Sequence, residues 1–125
     1  MEICCISDLH GYFPDVGSGD LLIICGDLTA RDQINQYVEF YIWLAEQNYI
    51  HKILIAGNHD NEIQKGLDYE FANENIYYLE DSGMEIEGLK IWGSPWSKTF
   101  EGMNPHCKAF TCDTEEELAE KWAMI

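Results

Sequence analysis

The sequence predicts an α/β fold, and three observations carry that prediction. Three apolar runs of strand length, Ile3–Ser7, Leu21–Cys25 and Ile53–Ala56, show no clean polar alternation. That is the pattern of strands buried on both faces, as in a parallel or mixed sheet. Between the second and third runs, Ile34, Tyr37, Val38, Tyr41, Ile42, Leu44 and Ala45 recur at helical spacing, with Asp32, Gln33, Gln36 and Glu39 on the polar side. Strand, helix and strand in that order imply a crossover within one layered sheet.

The second half reads as smaller elements. Ile76–Leu79 is a short strand. Met84–Ile86 and Leu89–Trp92 are two strands around Glu87-Gly88, a tight-turn dipeptide. Thr114 with Glu117 forms a capping-box pattern and opens a helix carrying Leu118, Ala119 and Trp122. The acids of Asp113–Glu117 suit the positive end of that helix. No repeat, low-complexity tract or linker divides the 125 residues, so one domain over 1–125 is expected. The chain meets its end inside the last helix, with no following strand, and reads as stopping in mid-fold.

Charge and cysteine usage narrow the function. With 7 Lys and Arg against 23 Asp and Glu, the net charge is -16. Nucleic acid and anionic membrane are repelled at long range, so no nucleic-acid surface and no membrane association are expected. No apolar stretch approaches the ~20 residues that span a bilayer. The N-terminus carries acid where a signal peptide needs base. Five cysteines, an odd number, suit a reducing, cytoplasmic setting. Cys4, Cys5 and Cys25 lie in apolar runs and read as small core residues, while His106, Cys107 and Cys112 match no zinc-knuckle spacing. An anionic substrate would need local positive charge, which scattered Lys and Arg do not supply and a bound cation does.

The chemistry-bearing residues gather at strand ends. The first run leads into Ser7-Asp8-Leu9-His10-Gly11, the second into Gly26-Asp27, and the third into Gly57-Asn58-His59-Asp60. In open α/β sheets, ligands bind outside the carboxyl ends of the strands. If these strands are neighbours, Asp8, His10, Asp27, Asn58 and His59 converge there. Asp8 and His10 are two apart and can face one side of an extended segment. Carboxylate plus imidazole suits Mn, Fe, Zn or Ni. Asp27 has two oxygens with which to bridge two cations, and Asn58 offers a neutral oxygen. Gly26 and Gly57 permit the close backbone approach of a crowded site. Two cations ~3.5–4 Å apart activate a water and clamp a phosphate ester. Singly, each pattern is also an ordinary turn or helix cap. Their conjunction at three strand ends favours the metal reading.

At these residues the chain resembles a known family. SDLHG, GD and GNHD are similar to the first three signature blocks of the calcineurin-like metallophosphoesterases. The stretch YYLEDSGMEIEGLKIWGSPW resembles the small branch related to the metallophosphoesterase-domain-containing proteins. The resemblance implies the N-terminal portion of an α/β-β-α sandwich with a mixed sheet, lacking its C-terminal half. It implies Asp8 and His10 on a first metal, Asp27 bridging two, Asn58 on the second, and His59 facing the phosphate to help the leaving group depart. Asp60 then supports His59 or the following turn. The substrate class it implies is a phosphodiester or nucleotide-like phosphate ester. The family's later histidine and its Gly-His-x-His pair have no counterpart here. His51 precedes the third run and reads as a surface histidine. His106 lies in the loop Met103–Phe110, which can pass near the site. Trp92, Trp96, Phe100 and Phe110 read as core.

Two other classes stay open. One is a catalytically inactive metal-binding fragment, or half of a split enzyme, whose exposed sheet edge accepts a complementing chain or a second copy. The other is a non-enzymatic α/β binding module in which the three blocks are turns and caps.

Overall fold

A computed structural model describes residues 1–67 and 75–125. The apolar runs form β1 (Ile3–Ile6), β2 (Ser18–Cys25) and β3 (Asn48–Ile55), with α1 (Ile34–Glu46) crossing between the last two. A short α2 (Asn61–Gln64) and β4 (Ile76–Tyr78) follow. The strands lie in the order β1-β2-β3-β4, and every pair is parallel. The chain then forms β5 (Ser82–Ile86) and β6 (Leu89–Gly93), an antiparallel hairpin. A short parallel pair, β7 (Ser97–Lys98) and β8 (Thr111–Cys112), precedes α3 (Glu115–Trp122). The architecture is a mixed α/β layer with a parallel and an antiparallel sheet.

The central strands β2 and β3 are covered on both faces, which is why their cores carry no alternation. On one face Leu22, Ile24 and Leu54 pack against Tyr37, Phe40 and Leu44 of α1. On the other, Leu21 and Ile53 pack with Leu79 and Ile86, at the end of β5. Each fully buried aliphatic side chain contributes roughly 1.5–3 kcal/mol by leaving water. The hairpin turns at Glu87 and Gly88, both at positive φ, as a two-residue turn requires. Thr114 caps α3 by accepting from the Glu117 N–H at 3.2 Å, but Glu117 returns to the Asp113 N–H rather than to the cap.

Several expectations need correction. Strand β3 begins at Asn48, so His51 lies within it, opposite Leu21, and not before it. It is half-buried and its Nδ1 has no hydrogen-bond partner among the described residues, so it is not a surface histidine. Cys5 and Cys25 are exposed and only Cys4 is half-buried. Both exposed thiols follow from position: β1 is a sheet edge, and Cys25 is the last residue of β2. On α1, Ile34, Val38 and Ile42 face solvent at 56%, 53% and 53% exposure, because the helix buries only its Tyr37–Phe40–Leu44 stripe. Phe100 is exposed, whereas Phe110 is buried and stacks edge-on with Trp96 at 5.6 Å.

Candidate metal centre

Because β1, β2 and β3 are adjacent and parallel, their three C-terminal loops meet at one edge. The loop after β1 is tied to the loop after β2 by Asp8 N–H to Gly26 O at 3.1 Å and His10 N–H to Asp27 O at 2.9 Å. The loop after β3 is tied in by His59 N–H, which donates to Asp27 Oδ1 at 3.0 Å. His10 Nε2 stands 3.8 Å from Asp8 Oδ1 and 3.9 Å from Asp27 Oδ2. His59 Nε2 stands 4.0 Å from Asp27 Oδ2, and the two imidazoles meet edge-on at 4.8 Å.

The segment carrying Asp8 and His10 is not extended, as the sequence suggested. Asp8, His10 and Asp27 all adopt left-handed backbone, with φ of 54°, 46° and 56°. Each such residue costs about 1 kcal/mol or more without a glycine. Strain at three neighbouring loop residues is the pattern of a site whose side chains are aimed rather than relaxed. Glycine supplies the room. A Cβ on Gly57 would meet Asp27 Oδ1 at 2.3 Å, and one on Gly26 would meet Gly57 at 2.7 Å.

Asp60 builds the frame beneath. It is fully buried, and its Oδ2 accepts from the Asp27 N–H at 2.8 Å and the Gly57 N–H at 2.7 Å. Its Oδ1 accepts from the Leu28 N–H at 3.1 Å and the Tyr37 hydroxyl at 3.2 Å. One carboxylate thus staples the loops after β2 and β3 to α1. Burial raises its pKa, and the three N–H groups oppose that shift. Asp60 occupies the position before α2 without capping it through its side chain. Asp32 continues the frame, accepting from the Tyr37 hydroxyl and from the Glu62 N–H at 3.2 Å.

Sequence reasoning missed Tyr37 and Asp32 as supports. It also missed Cys107, whose Sγ lies 3.2 Å from His59 Nδ1. The loop carrying Cys107 is bound to the third block, since Asn58 Nδ2 donates to Cys107 O at 3.0 Å and Asn61 Nδ2 to His106 O at 2.6 Å. No local signal marks Cys107, which is 48 residues from His59. That contact occupies the amide nitrogen of Asn58 and not its side-chain oxygen.

Among the described residues, His10, Asp27 and His59 offer donor atoms within 4.8 Å of one another. Asp8 adjoins them, with its Oδ1 3.8 Å from His10 Nε2. The Ser7 hydroxyl is the chief influence lowering the Asp8 pKa, whereas burial raises that of Asp27. Carboxylates with imidazoles match a divalent first-row ion, so the residues present fit a metal. A cavity of about 470 Å³ opens beside His59, with Arg31, Asp32, Lys65 and His106 on its walls. That cavity borders the site at His59, and Lys65 on its wall is paired with Glu62 at 3.2 Å.

A family model for calcineurin-like phosphoesterases matches residues 1–118. The chain belongs to that family. It is 31% identical over 147 aligned positions to Metallophosphoesterase domain-containing protein 1 of Homo sapiens, covering 97% of this chain and 44% of that protein. A UPF0046 protein of Caenorhabditis elegans is 34% identical over 117 positions, 77% of this chain and 41% of its own length. A protein named Probable rhamnogalacturonate lyase C, of Emericella nidulans, is 30% identical over 109 positions, 78% of this chain but 10% of its own. The chain spans less than half the length of these curated relatives. The family is one of metal-dependent phosphoesterases. No helix among the described residues is long and apolar enough to cross a membrane.

Proposed function

We propose that this chain carries the first half of a phosphoesterase centre that hydrolyses a phosphodiester or nucleotide-like phosphate ester. The observation that supports this reading best is the joining of Asp8, His10, Asp27 and His59 at one edge of three parallel strands. Asp8, His10 and Asp27 would hold a first divalent ion, and Asp27 with Asn58 a second. When bound, such ions supply positive charge to the phosphoryl group and acidify a water. Gly26 and Gly57 let the loops close on Asp27, and Asp60 holds them there. His59 presents an N–H to the departing oxygen. Arg31 and Lys65 on the cavity wall can pair with an anionic group elsewhere on the ester. The metal is a first-row ion such as Mn, Fe, Zn or Ni, and a cytoplasmic location suits the free thiols.

Hydrolysis of an aryl phosphodiester with Mn²⁺, lost in Asp27→Ala and in His59→Ala, is the expected result. No turnover by wild type at any Mn²⁺ concentration would sink the catalytic reading for the chain alone. A second reading then applies, favoured by the donor count. Three side chains serve the first ion and two the second, where divalent ions generally take four to six ligands. On that reading the chain binds metal and turns over only with a complementing chain. The edge strand β1, with Ile3 and Cys5 exposed, offers that chain its backbone groups. Measurable Mn²⁺ binding that Asp8→Ala removes, without hydrolysis, would support it.

A further inference from the structure

The loop Met103–Phe110 does more than pass the site. Its backbone is fixed to the third block at two points besides the His106 contact: Asn58 Nδ2 donates to Cys107 O, and the Ala109 N–H donates to Asn58 O, both at 3.0 Å. Its own turn is closed by the Cys107 N–H to Asn104 O at 2.9 Å and the His106 N–H to Asn104 Oδ1 at 2.9 Å. Cys107 is therefore held from both sides, and its Sγ is delivered to His59 Nδ1 at 3.2 Å. The other ring nitrogen, Nε2, faces the Asp27 carboxylate edge at 4.0 Å.

We propose that Cys107 is a positioning residue for His59: its thiol donates to Nδ1 and so fixes the ring with the proton on Nε2. This rests on the phosphoesterase reading, in which His59 acts through that N–H. A neutral imidazole carries one N–H, and the hydrogen bond made by one nitrogen decides which tautomer is present. A thiol is a weak donor, but here it is the partner that the structure gives Nδ1. The same residue works twice, since its carbonyl takes the Asn58 amide N–H and leaves the Asn58 oxygen for a cation. Supporting groups of this kind typically alter activity or metal affinity by 10–100-fold.

The test begins on the metal-free protein, by long-range ¹H–¹⁵N correlation of the histidine rings above the ordinary histidine range, roughly pH 8. Wild type should show His59 as the Nε2–H tautomer alone. Cys107→Ala should show both tautomers, and Cys107→Ser, which keeps a hydroxyl donor, should restore the single form. With Mn²⁺ and bis-p-nitrophenyl phosphate, kcat should fall on the order of 10-fold in Cys107→Ala at unchanged KM, and recover in Cys107→Ser. An Nδ1–H tautomer in wild type, or a His59 ring unchanged by Cys107→Ala, overturns the proposal. So does a serine variant that behaves like the alanine one, because that is the signature of lost packing. Absence of turnover in wild type defeats the phosphoesterase reading for the isolated chain and leaves the tautomer result to decide the role of Cys107.

Discussion

Asp60→Asn tests the frame with the smallest possible change in shape. Asp60 accepts three backbone hydrogen bonds while fully buried, two at Oδ2 from the Asp27 and Gly57 N–H groups and one at Oδ1 from the Leu28 N–H, and its Oδ1 shares the single Tyr37 hydroxyl proton with Asp32. An asparagine must place its NH₂ on one side or the other. Placed at the Oδ2 position, it confronts two backbone donors. Placed at the Oδ1 position, it confronts the Leu28 N–H, while the Tyr37 hydroxyl can still donate to Asp32. The second placement is the cheaper one. It strands one buried N–H, about 1–3 kcal/mol, and weakens the bonds that remain by removing the charge. The sum is about 3 kcal/mol. With an unfolding entropy of about 2.1 cal/mol/K per residue, a chain of 125 residues should lose roughly 11 °C in Tm. Differential scanning calorimetry of the metal-free protein reads this directly. A fall of less than about 3 °C would refute the view that one buried carboxylate organises the loops.

Other outcomes follow from the same geometry. Gly57→Ala puts a methyl 2.3 Å from Asp27 Oδ1, so the carboxylate must move, and Mn²⁺ affinity by titration calorimetry should fall at least 10-fold. Asp27→Asn should weaken Mn²⁺ by more than 10-fold in the same assay, and equal affinity would remove the metal from this edge. Lys52 is 4% exposed and donates to Ala45 O at 3.0 Å, and burial holds its pKa below the usual 10.5. Between that lowered value and 10.5 the unfolded chain binds more protons than the folded one, so wild-type stability gains with rising pH. Lys52→Met lacks this dependence, and the Tm difference between the two should move in favour of wild type across that alkaline window.

Much of the fold was legible because burial on two faces leaves a sequence signature. Leu21 and Leu22 face opposite ways in β2, and both are fully buried. The Glu87-Gly88 turn was legible for a local reason, since a two-residue hairpin needs positive φ and Gly88 supplies it without strain. Exposure was less legible. Cys5 and Ile3 look like core, yet they lie on the uncovered face of the edge strand β1, while Cys4 and Ile6 on its other face pack against the core. Ile34, Val38 and Ile42 share the helical period of the buried stripe, and periodicity alone cannot say how wide a face the sheet will cover. At the site, the named residues of the three blocks were readable from strand ends, whereas their supports were not. Tyr37 looked like one more apolar residue of a helix, yet its hydroxyl serves Asp60 and Asp32.

The sequence by itself determined the layered α/β class, the family, and the set of polar side chains at three strand ends. Those are consequences of short-range pattern: period, punctuation by glycine, and residue type. Only the tertiary structure decided that Asp60 staples two loops, that Asp8 and His10 sit on left-handed backbone, and that Cys107 meets His59 across 48 residues. Such contacts depend on which strands become neighbours and how their loops close. That is settled by the packing of the whole sheet, and no window of sequence contains it.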